Sequence, residues 1–72
     1  MDDIRKQFAV NLRSRREQAG VSQEKLAELC GLDRTEISLL EREKRLPRLD
    51  TLVLLARGLE LSSPGELLDG IS

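Results

Sequence analysis

The chain has 72 residues, a formal net charge of −1, no His, a single Cys and one aromatic side chain, Phe8. That length holds one small domain, not two independent cores, and a composition rich in Leu and poor in aromatic and β-branched residues favours helices over strands. It also excludes an internal disulfide, a zinc site of Cys/His spacing and a histidine general base, so no cofactor, metal or enzymatic activity is indicated.

The start "MDDIRKQ" lacks the apolar stretch of an export signal, and no apolar run approaches the length of a membrane span. A cytoplasmic protein without a membrane partner is the expectation. Charge is unevenly spread: residues 1–48 hold 11 Lys and Arg against 9 Asp and Glu, whereas residues 49–72 hold 1 against 4. Such asymmetry suits a domain that meets an anion with one end, although it also arises by chance.

In the first predicted helix, about residues 3–19, Ile4, Phe8 and Leu12 recur four apart, Ala19 continues the stripe, and Gly20 supplies a stop. Ser22 is a good N-cap for a second helix through "QEKLAELC", whose Leu26, Leu29 and Cys30 are apolar, with a stop at Gly31. Cys30 reads as a small core residue, not a nucleophile. Asp33 and Glu36 predict a capping box at the start of a third helix. Pro47 marks a loop at 44–48. A fourth helix follows at about 49–59, with Leu52, Leu55, Ala56 and Leu59 on one face and a weak cap at Arg48. Ser63, Pro64 and Glu66 predict a short last helix at about 63–69. The expectation is an all-α, compact five-helix domain over 1–72, with a helix-turn-helix at about 22–43.

The joint between the second and third helices carries that expectation. Ala27 allows close helix approach, Gly31 can take the left-handed turn, and Ile37 and Leu40 face inward. An ordinary helical hairpin would share this spacing. At about 100° per residue, however, the opposite face of the third helix collects Arg34, Thr35, Ser38, Leu39 and Arg42, with Glu36 and Glu41 on its two flanks. An acid-free face of arginines and hydroxyls is suited to base edges in a major groove.

From Phe8 to Leu68 the sequence resembles the helix-turn-helix family of phage repressors and Cro proteins, the XRE-type family. The resemblance rests on Arg16 before "AGVSQ", on "LAELCG", on "IS" followed by Glu41, on Pro47, on "TL" with "LA", and on a closing "ELL". Among its small members, "LDRTEIS" with a short C-terminal helix looks most like the restriction-modification controller proteins. The resemblance implies a five-helix, lambda-repressor-like domain: a sequence-specific transcriptional regulator that binds a palindromic operator in double-stranded DNA as a homodimer, third helix in the major groove. No small-molecule ligand is indicated.

The resemblance also assigns residues. Arg34, Thr35, Ser38 and Leu39 match base-reading positions; Gln23, Arg42, Lys44 and Arg45 match phosphate-binding ones; Arg16 and Glu41 match an internal ion pair. A C-terminal dimerisation region at about 49–71 would use Val53, Leu54, Leu67, Leu68 and Ile71, apolar side chains left over once the helix cores are assigned. Two positions depart from the family. Glu43 stands where Gly is usual, which predicts either a left-handed non-Gly residue or a longer helix, and Arg48 stands where a Ser commonly caps the fourth helix. Glu43, Glu36 and the net charge favour an alternative, a protein-interaction module, such as an antirepressor or adaptor, that keeps the fold without binding DNA.

Overall fold

A computed structural model describes residues 2–71. Its elements in chain order are α1 (Asp2–Gln18), α2 (Gln23–Cys30), α3 (Arg34–Glu41), α4 (Leu49–Gly58) and a single 3-10 turn, Pro64–Leu68. Among the described residues there is no strand, and no helix is long and apolar enough to cross a membrane. The expected five α-helices are therefore four. The last segment is only five residues long, and Pro64 and Gly65 occupy its first two positions, so it tightens into a 3-10 turn.

Side chains set two of the helix starts. Ser22 Oγ accepts the Lys25 N–H at 3.0 Å, and Asp33 Oδ1 accepts the Thr35 N–H at 2.8 Å. Glu36 does not complete the expected capping box with Asp33, because Arg45, nine residues further on, holds its carboxylate at 2.9 Å.

All four helices end in the same way. The residue after each last turn is left-handed: Gly20 (φ 71°), Gly31 (φ 70°), Glu43 (φ 65°) and Glu60 (φ 57°). The following N–H then reaches back to a carbonyl of the final turn, Val21 to Arg16, Leu32 to Ala27, Lys44 to Leu39 and Leu61 to Ala56. Glu43 thus takes the left-handed turn as a non-Gly residue, and Glu60 repeats the arrangement.

The core joins Phe8 and Leu12 of α1, Leu26, Ala27 and Cys30 of α2, Ile37 and Leu40 of α3, Leu52, Leu55 and Ala56 of α4, and Leu67 of the 3-10 turn. Ala9 is buried as well. Expected core residue Ala19 and the apolar Leu29 are exposed. Ala19 lies beyond the end of α1, and Leu29, 48% exposed, falls about 100° to the side of the α2 stripe centred on Leu26, Ala27 and Cys30. Helices α2 and α4 approach so closely that a methyl group on Gly58 would collide with Cys30 Sγ.

The C-terminal turn is pinned to α1. Asn11 Nδ2 donates to the carbonyls of Leu67 and Asp69 at 3.0 and 2.8 Å, while Glu66 accepts the N–H groups of Ser62 and Ser63 and lies 3.4 Å from Arg15. This contact corrects the assignment of Leu67 to a dimer surface. Leu67 has no exposed area and fills the core between α1 and α4, a burial worth about 1.5–3 kcal/mol. Its neighbour Leu68 is 40% exposed.

Candidate nucleic-acid interface

The two helices of the candidate interface are locked to α1 through one carboxylate. Arg16 Nε and Nη2 donate to Glu41 Oε2 and Oε1 at 2.7 and 3.0 Å, and Arg16 Nη1 donates to the Val21 carbonyl at 2.9 Å. Gln23 Nε2, at the start of α2, donates to Glu41 Oε1 at 3.0 Å, and Arg13 Nε lies 3.5 Å from the same oxygen. The Glu41 side chain has no exposed area. A buried carboxylate is tolerated only when its charge and lone pairs are matched, and three hydrogen bonds from Arg16 and Gln23 do so here. Burial pushes the Glu41 carboxyl up, but the hydrogen bonds from Arg16 and Gln23 and the charges of Arg16 and Arg13 outweigh it, leaving the group below its ordinary value. Arg16 is held above its own ordinary value, chiefly by the hydrogen bond to Glu41.

With Glu41 turned inward, the outward side of α3 presents Arg34, Thr35 and Arg42, all exposed, and Ser38 and Leu39, half-buried. Arg42 Nε donates to Ser38 Oγ at 3.1 Å, one helical turn away, which holds the exposed guanidinium along the helix surface. The surface therefore carries two guanidinium groups and two hydroxyls with no acid between them.

The segment after α3 is mixed. Arg42, Glu43, Lys44 and Arg45 are all exposed, but Arg45 is paired with Glu36. Gln23 is half-buried with its amide on Glu41. Arg48 does not cap α4 with its side chain. It donates instead to Asp50 Oδ2 at 2.8 Å, and Asp50 Oδ1 accepts the Thr51 N–H, one of the free donors of the first turn. The Arg48 hydrogen bond, with that of Thr51, holds the Asp50 carboxyl below its ordinary range.

Three relationships in this region have no local sequence signal: Arg13 beside Glu41, Gln23 on Glu41, and Arg45 on Glu36. Each joins residues from different elements. A fourth feature, the 78% exposure of Leu49 at the first position of α4, runs against its place on the helical wheel beside Leu52 and Ala56, so periodicity would have assigned it to the core.

A family profile described as helix-turn-helix (HTH_3) matches residues 12–67, most of the chain and all of α2 through α4. The chain belongs to the helix-turn-helix family. Relatives in this family are named as regulators and not as enzymes. The chain is 47% identical over 62 residues, 86% of its length, to control protein C.SmaI of Serratia marcescens, covering 74% of that protein. The crystal structure of the restriction-modification controller protein C.AhdI from Aeromonas hydrophila is similar with a TM-score of 0.83 and 40% identity, over 88% of this chain and 94% of that one. The hypothetical transcription factor NHTF from Neisseria is similar with a TM-score of 0.84 and 36% identity, over 94% and 78% of the two chains. This helix-turn-helix chain is thereby placed among DNA-binding transcriptional regulators of the XRE type.

Proposed function

We propose that the chain is a controller-type regulator of a restriction-modification system that binds a palindromic operator as a homodimer, with α3 in the major groove. Arg34, Thr35, Ser38 and Leu39 read base edges; Gln23, Arg42, Lys44 and Arg45 hold phosphates on either side. The observation that carries this reading is the direction of the charges on α3. Glu41 is sealed against Arg16 and Glu36 is neutralised by Arg45, so the outward face offers cations and hydroxyls alone.

Size supports the dimer. The longest extent of the chain is 28 Å, shorter than one turn of DNA at roughly 34 Å, so one copy spans a single half-site. The outward side of α4 and the C-terminal turn supply Leu49, Val53, Leu54 and Leu68, with half-buried Ile71 beside Leu68. Pairing two copies through that surface sets two recognition helices one turn apart and converts two weak half-site contacts into one useful affinity.

Selection of bound sites from random duplex DNA tests the proposal. The expected outcome is a two-fold symmetric motif with half-site centres about 10 base pairs apart. Exposed Glu43 beside the phosphate-facing cations favours the competing reading, a protein-interaction module. That reading predicts no enrichment of any duplex and a partner interaction that persists as salt rises, whereas phosphate-driven binding weakens steeply.

A further inference from the structure

We propose that Arg13 of α1 is a further DNA-phosphate ligand, forming with Gln23 a two-residue clamp that Glu41 holds in place. The inference rests on the DNA-binding reading above. Glu41 carries one negative charge and is satisfied by the two-point contact from Arg16, whose three nitrogens are all engaged and whose side chain is only 14% exposed. Arg13 is therefore surplus to the charge balance of the buried pair. Its Nε stands 3.5 Å from Glu41 Oε1, beyond ordinary hydrogen-bond length, and its side chain is 56% exposed. Among the described residues its terminal nitrogens donate to no protein group.

Gln23 approaches the same oxygen, Glu41 Oε1, at 3.0 Å through one of its two amide N–H groups. A cationic side chain from α1 and an amide from α2 thus converge on one point, each with a donor left over. An anion placed there meets both, while the carboxylate beneath is already neutralised. The acid that opposes such an anion is Glu43, which with Ala9, Val10, Arg13 and Glu41 lines a shallow depression of about 100 Å³. Arg13 lines the same depression as both acids, so its charge also offsets the repulsion that Glu43 exerts on a nearby phosphate.

The test is a salt titration of duplex binding with the full chain and its selected operator, comparing the parent with Arg13→Gln and Arg13→Lys. The expected result is that Arg13→Gln weakens binding to all duplexes alike, leaves the selected motif unchanged, and reduces the slope of log K against log salt by about 0.9, while Arg13→Lys keeps the slope. An unchanged slope and affinity in Arg13→Gln would overturn the inference while leaving the DNA-binding reading intact. Equal losses in both variants with lowered melting temperatures would assign Arg13 to folding and overturn it as well. If the parent binds no duplex, the clamp and the DNA-binding reading fall together.

Discussion

Arg45 Nη1 lies 2.9 Å from Glu36 Oε1, so the loop after α3 is tied back to the first turn of that same helix. The contact neutralises an acid on the flank of α3 and competes with the proposed phosphate contact of Arg45. Glu36→Gln should release Arg45. Duplex binding is expected to tighten several-fold with a salt slope steeper by about one charge, whereas folding stability shifts by less than about 1 kcal/mol, as for other exposed pairs. Binding isotherms at three salt concentrations, with melting curves alongside, check both halves.

Glu41 predicts an acid-sensitive fold. Its folded carboxyl lies below the ordinary value, so its stabilisation is fully present above the unfolded pKa of about 4.3 and disappears as pH falls through the lower folded value. Glu41→Gln should cost about 3–5 kcal/mol at neutral pH by leaving Arg16 without its counter-charge. The variant should also lose part of the parent's decline below pH 4. Denaturant midpoints at pH 7 and pH 3 measure this, and parallel declines in the two proteins would contradict it.

The left-handed residues Glu43 and Glu60 separate stability from binding. A left-handed non-Gly residue costs roughly 1–2 kcal/mol, part of which Gly gives back as chain entropy, so Glu43→Gly and Glu60→Gly should each stabilise by about 0.5–1 kcal/mol. Only Glu43→Gly removes an acid near the proposed phosphate contacts. It should tighten duplex binding, and Glu60→Gly should leave it unchanged.

Close packing between α2 and α4 predicts that Gly58→Ala destabilises by about 1–3 kcal/mol, because the added methyl meets Cys30 Sγ. Cys30→Ala in the same chain should recover much of the loss, a coupling expected of residues in contact. Burial pushes the Cys30 thiol up to about 11, so it should resist alkylation at neutral pH in the parent and react faster in Gly58→Ala.

Adjacent leucines distinguish surface from core. Leu68→Asp, at a position 40% exposed, is expected to leave the helical fold intact and shift sedimentation toward the monomer. Leu67→Asp, fully buried, is expected to abolish cooperative unfolding. A monomer–dimer equilibrium unmoved by Leu68→Asp would transfer the interface to Leu49 and Val53 on α4.

The sequence by itself determined the caps of α2 and α3, the glycine stops of α1 and α2, and which family the chain resembles. Ser22 and Asp33 are caps that act within three residues, Gly20 and Gly31 are stops that act at one, and Phe8, Leu12, Leu26, Ile37 and Leu40 repeat at a period set by the helix alone. Tertiary structure decided what the charged side chains do. A local rule assigns Glu36 to a cap, but Arg45 takes it from across the loop, and Leu67, an apolar residue left over once the helix cores are assigned, turns inward in a 3-10 turn. Arg13, Gln23 and Glu41 come together only because α1, α2 and α3 pack against one another. Caps and periods depend on neighbours along the chain, which a sequence displays. The partner of a charge depends on which helices bury one another, and that is settled only when the core closes.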